Sequence, residues 1–489
     1  MNKGDIVEIT IEDISNDGQG IGKACGLAVF VSDTVVGDRI AAELIKLKKN
    51  YAIGRMTEML APSPYRTDPV CPYEGRCGGC TYQKMKYQGQ LALKRKQVSD
   101  KLMRLGGMEK PNVTPAIGME SPFRYRNKAS MPVSTGGLLT KKGGVICPVH
   151  EPRIGFYKAR SHDVTDCTDC MLQAAPVMAA AQAVRQFMKE DNLTSYDERW
   201  DKGLMRHMVV KTAFGTGEVM VILVINGKGI PGMAKLVQML DDAIAGLGPA
   251  ENGTVYSLES VVLNIKKGKG SEIFGSEWKV AAGKHVILEH VGGLDLEISP
   301  QSFYQVNPVQ MVKLYEKVLE YADLKGNETV LDIYCGVGTI GLFCADHMRK
   351  KAGHGQQGGK VIGIEAVREA VIDANRNAVI NGIVNAVYIC GKAEEELPKL
   401  NAEADVAILD PPRAGCRPEL LQAVASAGVK RIVYVSCDPA TMARDIRELA
   451  GLGYELSETA PVDMFPWTGR IEAVSCLKRA GGDASDAES

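Results

Sequence analysis

From Met1 to about Leu60 apolar and polar residues alternate: Val7, Ile9 and Ile11, then Ala28, Phe30 and Val31 after a glycine-rich turn, then Ile40, Ala42 and Leu44. A period of two predicts short strands with one buried face, and their close succession predicts a small β-barrel over 1–61, of the oligonucleotide-binding (OB-like) sort. Pro62, Pro64, Pro69 and Pro72 mark a linker. A helix is expected over 83–105. Between about 123 and 298 the runs are β-rich; Met205–Ala213 and Glu218–Ile225, separated by Phe-Gly-Thr-Gly, form an expected hairpin. From 299 apolar strands alternate with amphipathic helices: Thr329–Tyr334, Val361–Glu365, Ala386–Cys390, Val406–Leu409 and Arg431–Ser436. That alternation predicts a doubly wound, Rossmann-like α/β unit with a parallel sheet. The chain is therefore read as multidomain: a barrel over 1–61, a β-rich central unit over 62–298 against whose catalytic neighbour the 83–105 helix can pack, an α/β unit over 299–479, and an unstructured tail over 480–489.

A length of 489 residues fits about three cores at roughly 150 residues each. With 45% hydrophobic and 24% charged residues the composition is globular. No stretch reaches the roughly 20 apolar residues of a spanning helix, and Met-Asn-Lys-Gly-Asp-Ile lacks a signal peptide's apolar core, so a cytoplasmic protein away from membranes is expected. Fifty-eight Lys+Arg against 59 Asp+Glu give a net charge of −1, so any basic surface is local. Two segments offer one. Lys46, Lys48 and Lys49 precede Tyr51, which suits RNA backbone and base stacking as well as a solvated strand edge. The 83–105 stretch carries Lys84, Lys86, Lys94, Arg95, Lys96, Lys101 and Arg104 against Asp100 alone.

Thirteen cysteines without an export signal argue for metal ligation or thiolate chemistry rather than disulfides. Cys71, Cys77 and Cys80 are three thiols in ten residues among glycines, and Cys167 or Cys170 can supply a fourth. Four thiolates suit structural zinc or an iron–sulfur cluster equally. The triplet is not the C-x3-C-x2-C of common radical S-adenosylmethionine enzymes.

Strand, turn and helix around Gly336-Val-Gly338-Thr-Ile-Gly341, with Glu365 closing the next strand, read as a fingerprint shared by dinucleotide-binding dehydrogenases and S-adenosylmethionine methyltransferases. Asp410-Pro411-Pro412-Arg413 tips the choice to a nucleic-acid methyltransferase; Arg413, where amino-methylating enzymes carry an aromatic residue, weakens that variant. Cys437, after the fifth strand and before a helix opening at Pro439, sits where helix-end amides lower a thiol pKa. A thiolate is what methylation at carbon-5 of uracil needs, because its addition at carbon-6 makes carbon-5 nucleophilic. A base must then remove the carbon-5 proton; Glu472 is the candidate, with a surface salt bridge to Arg470 as its plainer alternative.

Together these residues resemble the RNA uracil-5-methyltransferase family, and most of all its class acting on uridine in 23S ribosomal RNA. The resemblance runs from an N-terminal TRAM-type barrel through the cysteines, Ser299-Pro-Gln-Ser-Phe-Tyr-Gln305-Val-Asn307 and Tyr334-Cys-Gly-Val-Gly-Thr to Asp410-Pro-Pro-Arg, Cys437 and Glu472. It implies a [4Fe-4S] cluster on Cys71, Cys77, Cys80 and Cys170. It implies S-adenosylmethionine at Gln305, Tyr334, Gly336, Gly338, Glu365 and Asp410, Cys437 as nucleophile and Glu472 as proton acceptor. A monomer acting on 23S rRNA is the expected form, with tRNA as alternative substrate and a non-catalytic RNA-binding protein as the reading from another class. Three positions depart from the family. Asp438 stands where asparagine is usual and would raise the thiol pKa unless a cation such as Arg413 offsets it, and Trp467 and Arg470 stand where histidines are usual.

Overall fold

The computed structural model describes residues 1–15, 17–135, 151–250, 252–353, 358–400 and 403–481. The tail expected to be unstructured lies outside the described residues from 482 onward.

Six short strands, Ile6–Thr10, Asp13–Ile14, Gly20–Ala24, Leu27–Val31, Arg39–Leu47 and Tyr51–Ala61, make one sheet in the order first, fifth, sixth, fourth, third, second. The sheet curls until the third strand meets the first: a Cβ on Gly22 would lie 2.7 Å from the Thr10 carbonyl oxygen, so only glycine fits. The inward set of the alternating pattern, including Ile9, Val29, Val31, Ile40 and Leu44, fills the interior. Lys46, Lys48 and Lys49 are exposed beside Tyr51, whose ring meets Phe30 edge-on at 5.6 Å.

The central unit is a seven-stranded sheet ordered Glu277–Gly283, Ser257–Ile265, Glu218–Ile225, Met205–Thr212, Lys128–Thr135, Pro152–Tyr157, Val164–Asp166. Its middle pair is the hairpin read from the sequence, with Thr212 opposite Val219. Successive side chains leave a strand on opposite faces. Met208, Val210, Val221 and Leu223 therefore meet Val184, Phe187, Leu236 and Leu240 of two helices, Ala175–Glu190 and Met233–Ala245. Val209, Met220 and Ile222 turn the other way and join Tyr304, Met311 and Leu314 in the core of the next unit. The central and catalytic units thus share apolar packing.

The last unit is the doubly wound sheet: Ala386–Cys390, Lys360–Glu365, Thr329–Ile333, Val406–Leu409, Arg431–Ser436, Glu472–Arg479, Tyr454–Val462, in spatial order. The first five are parallel and the final pair antiparallel. The first strand in sequence ends at Ile333 rather than Tyr334, which turns into the left-handed region at φ 63°.

The basic helix runs Tyr87–Arg104. It buries Val98 and Leu102 in the catalytic core with Leu331, Ile333 and Leu409. Its positive charge is not all a solvated face, as the composition of the segment suggested. Lys94 is fully buried, its Nζ donating to Asp463 Oδ1 at 2.6 Å and to the Phe465 carbonyl at 3.1 Å.

Candidate active site

Ligands in open α/β sheets bind beyond the carboxyl ends of the strands. Asp410 follows the strand Val406–Leu409, and Cys437 follows Arg431–Ser436. Glu472 opens the antiparallel strand alongside, and the pairing of Ser436 with Ala473 sets Cys437 next to Glu472. Glu472 is buried, and its Oε2 has no hydrogen-bond partner among the described residues. Burial first, and then the charge of Asp410, push its carboxyl up to about 8. Burial likewise raises Asp410 to about 7. No ion pair joins Glu472 to Arg470 among the described residues; the salt-bridge alternative fails because Glu472 points into the interior.

The Cys437 thiol reaches solvent, yet its pKa is raised, not lowered as its place before a helix suggested. Desolvation by the surrounding protein is the largest cause, followed by the charges of Glu472 and Asp410; Arg413 pulls the other way. The helix end is outweighed by desolvation and by two carboxyls from neighbouring strands. Asp438 is not among the causes: its Oδ1 accepts from the Ala440 N–H at 2.9 Å and caps the helix Pro439–Gly451. An asparagine there could cap in the same way.

The glycine loop closes the same edge. Gly338, at φ 77°, has no room for a Cβ, which would fall 2.6 Å from the Tyr388 ring. The Gly336 N–H donates to Glu365 Oε2 at 3.1 Å, holding that acid across the loop. Burial holds the Tyr334 hydroxyl above its ordinary value. Gln305 is buried, and its carbonyl accepts from Asn127 Nδ2 at 2.9 Å, joining the central unit to the start of the catalytic one. The sequence reading missed Asp332. It is fully buried, accepts the Gly341 N–H at 2.9 Å on Oδ2, leaves Oδ1 unpartnered, and is raised to about 7 by burial. An acid inside the apolar run Val-Leu-Asp-Ile was the available signal.

Cys71, Cys77, Cys80 and Cys170 line one cavity of about 280 Å³, with Cys167 and Arg126 also in its wall. Burial raises Cys71 and Cys77 and lifts Cys80 to about 12. Cys170 is brought down to about 6, chiefly by its hydrogen bond with Cys167, whose own pKa rises. Among the described residues no three His, Cys, Asp or Glu side chains are grouped so as to hold a metal ion. A zinc ion needs four sulfurs converging at about 2.3 Å. Four thiols are a donor set that zinc and iron–sulfur clusters both take.

Arg470 is exposed, and its pKa is lowered by desolvation and by the charges of Arg413 and Arg126, against the opposing influence of Cys437. Arg413 and Arg470 therefore both act on the thiol, and Arg126 lies near Arg470. No helix of the described residues is long and apolar enough to cross a membrane.

Residues 293–480 match the family described as tRNA (Uracil-5-)-methyltransferase, and residues 2–57 match the TRAM domain. The chain is 41% identical over 481 residues to an uncharacterized RNA methyltransferase of Halalkalibacterium halodurans, covering 98% of each chain. It is also 41% identical over 485 residues to an uncharacterized RNA methyltransferase of Caldanaerobacter subterraneus, covering 98% of this chain and all of that one. Among solved structures, the Pyrococcus abyssi tRNA (uracil-54, C5)-methyltransferase in complex with S-adenosyl-L-homocysteine aligns with a TM-score of 0.71 at 27% identity, over 96% of this chain and 99% of that one.

Proposed function

Because the chain belongs to the RNA uracil-5-methyltransferase family, we propose that it methylates carbon-5 of a uridine in 23S rRNA through a covalent adduct with Cys437. Cys437 adds as thiolate to carbon-6, converting the 5,6 double bond into an enolate whose carbon-5 is nucleophilic. S-adenosylmethionine, when bound, supplies the methyl group; Gln305, Tyr334, Gly336, Gly338, Glu365 and Asp410 would hold it. Glu472 then accepts the carbon-5 proton, the double bond re-forms, and the Cys437 sulfur leaves as thiolate. A carboxyl raised to about 8 is a far better proton acceptor than an ordinary one, and lies near working pH. Arg413 opposes the carboxyls at the thiol and favours its ionised form.

Cys71, Cys77, Cys80 and Cys170 would hold a [4Fe-4S] cluster, which would bind the 71–80 segment to the strand-end loop at Cys170. That all four thiols line one cavity supports that reading.

The pairing of Cys437 with a buried, raised Glu472 carries the proposal. For the substrate, the barrel and cysteine cluster support 23S rRNA by resemblance, while the likeness to the archaeal tRNA enzyme favours tRNA. Glu472→Gln is expected to permit attack and methyl transfer and to trap RNA in an adduct stable to denaturing gels. Cys437→Ala is expected to form neither adduct nor product; turnover in that variant sinks the mechanism.

A further inference from the structure

The segment leading into Glu472 is tied to the cysteine loop through one residue. Trp467 sits at φ 68°, a left-handed conformation that bulky residues rarely adopt and that surrounding contacts must impose. Those contacts are present. The Trp467 carbonyl accepts from the N–H groups of Thr81 at 2.8 Å and Tyr82 at 3.0 Å, the two residues directly after Cys80. Its own N–H donates to Gln90 Oε1 at 3.0 Å, and its indole Nε1 donates to the Pro122 carbonyl at 2.8 Å. The ring stacks on Phe123 with centroids 5.1 Å apart and 22° between planes. Glu472 has an unpartnered oxygen, so its aim depends on the backbone that leads to it rather than on its own hydrogen bonds.

We propose that Trp467 is a positioning residue: it straps the Cys77–Cys80 loop to the Glu472 segment, so that an ordered cysteine loop holds the proton acceptor against Cys437. The kinetic part of this inference rests on the uracil-5 reading above. It gives the cysteine cluster a mechanical task in a reaction that is redox-neutral.

Two measurements test it. Trp467→Ala is expected to lower kcat by about 100-fold, the scale of a displaced general base, while adduct with RNA accumulates and the KM for RNA falls with it. Trp467→Phe, which keeps a ring on Phe123, is expected to regain most of the turnover. Adduct and turnover falling together, or Trp467→Ala turning over like the parent, would overturn the strap. The second measurement does not depend on activity. With Trp200 and Trp278 replaced by phenylalanine, Trp467 is the sole indole among the chain's three tryptophans. Cys80→Ala is then expected to shift its emission to the red and expose it to acrylamide; unchanged emission overturns the coupling. This arm decides the matter even if Trp467→Ala does not fold. A parent enzyme that forms no 5-methyluridine refutes the functional reading instead, and leaves the fluorescence result standing.

Discussion

Replacing Lys94 by methionine leaves the Asp463 carboxylate buried without its cation. Both side chains are fully buried, Lys94 Nζ lies 2.6 Å from Asp463 Oδ1, and Asp463 Oδ2 has no hydrogen-bond partner among the described residues. Burial already lowers the Lys94 pKa despite Asp463, a sign of how costly this site is for charge. Breaking such a pair from one side costs about 3–5 kcal/mol, whereas exchanging both partners for apolar residues is often close to neutral. At about 2–4 °C per kcal/mol for a unit of this size, Lys94→Met should melt on the order of 10 °C below the parent. Lys94→Met/Asp463→Leu should recover most of that loss. Thermal unfolding followed by circular dichroism reads both effects. A single variant melting with the parent, or a double variant no better than the single, would refute the argument.

Four further outcomes are expected. Glu472 accepts a proton only when ionised, so kcat should rise with pH, reach half its plateau near 8 and level off above that; a profile that falls steadily over this range contradicts its role. Asp410→Asn removes the second cause of that raised pKa, and the inflection should move down. Arg470→Ala, at a guanidinium with no ion pair or side-chain hydrogen bond among the described residues, should weaken RNA binding and lower the salt slope by about 1, the signature of one lost phosphate contact; an unchanged slope removes Arg470 from the RNA surface. Gly338→Ala combines a left-handed φ, costing about 1–2 kcal/mol, with a Cβ 2.6 Å from Tyr388, and should weaken S-adenosylhomocysteine binding at least tenfold in calorimetry.

The parts of this protein that were legible in its sequence are those encoded locally. Period-two alternation in the first 60 residues, the strand-turn-helix around Gly336 and Gly338, and the strand ends at Asp410 and Cys437 depend on neighbours a few positions away. What was not legible depends on residues far apart in the chain. Lys94 read as one more cation on a basic helix because its partner, Asp463, is 369 positions distant. The Cys437 thiol seemed set for a lowered pKa from its own helix, yet desolvation by the folded protein, and then Glu472 and Asp410 brought in by other strands, act against that. Asp438 seemed a neighbouring charge and is a helix cap. Trp467 registered only as a missing histidine, because its carbonyl meets Thr81 and Tyr82 only once the cysteine loop has folded against it.

The central claim is methylation of uracil carbon-5 by a Cys437 adduct, and nucleoside mass spectrometry tests it most directly. Unmodified 23S rRNA and tRNA transcripts would each be incubated with the anaerobically purified protein, or its Cys437→Ala variant, and S-adenosylmethionine carrying a deuterated methyl group. The account predicts labelled 5-methyluridine in the 23S digest, with the parent protein alone. Label only in tRNA would keep the chemistry and replace the substrate. Label on an amino group, no label in either RNA, or label with Cys437→Ala would contradict the account.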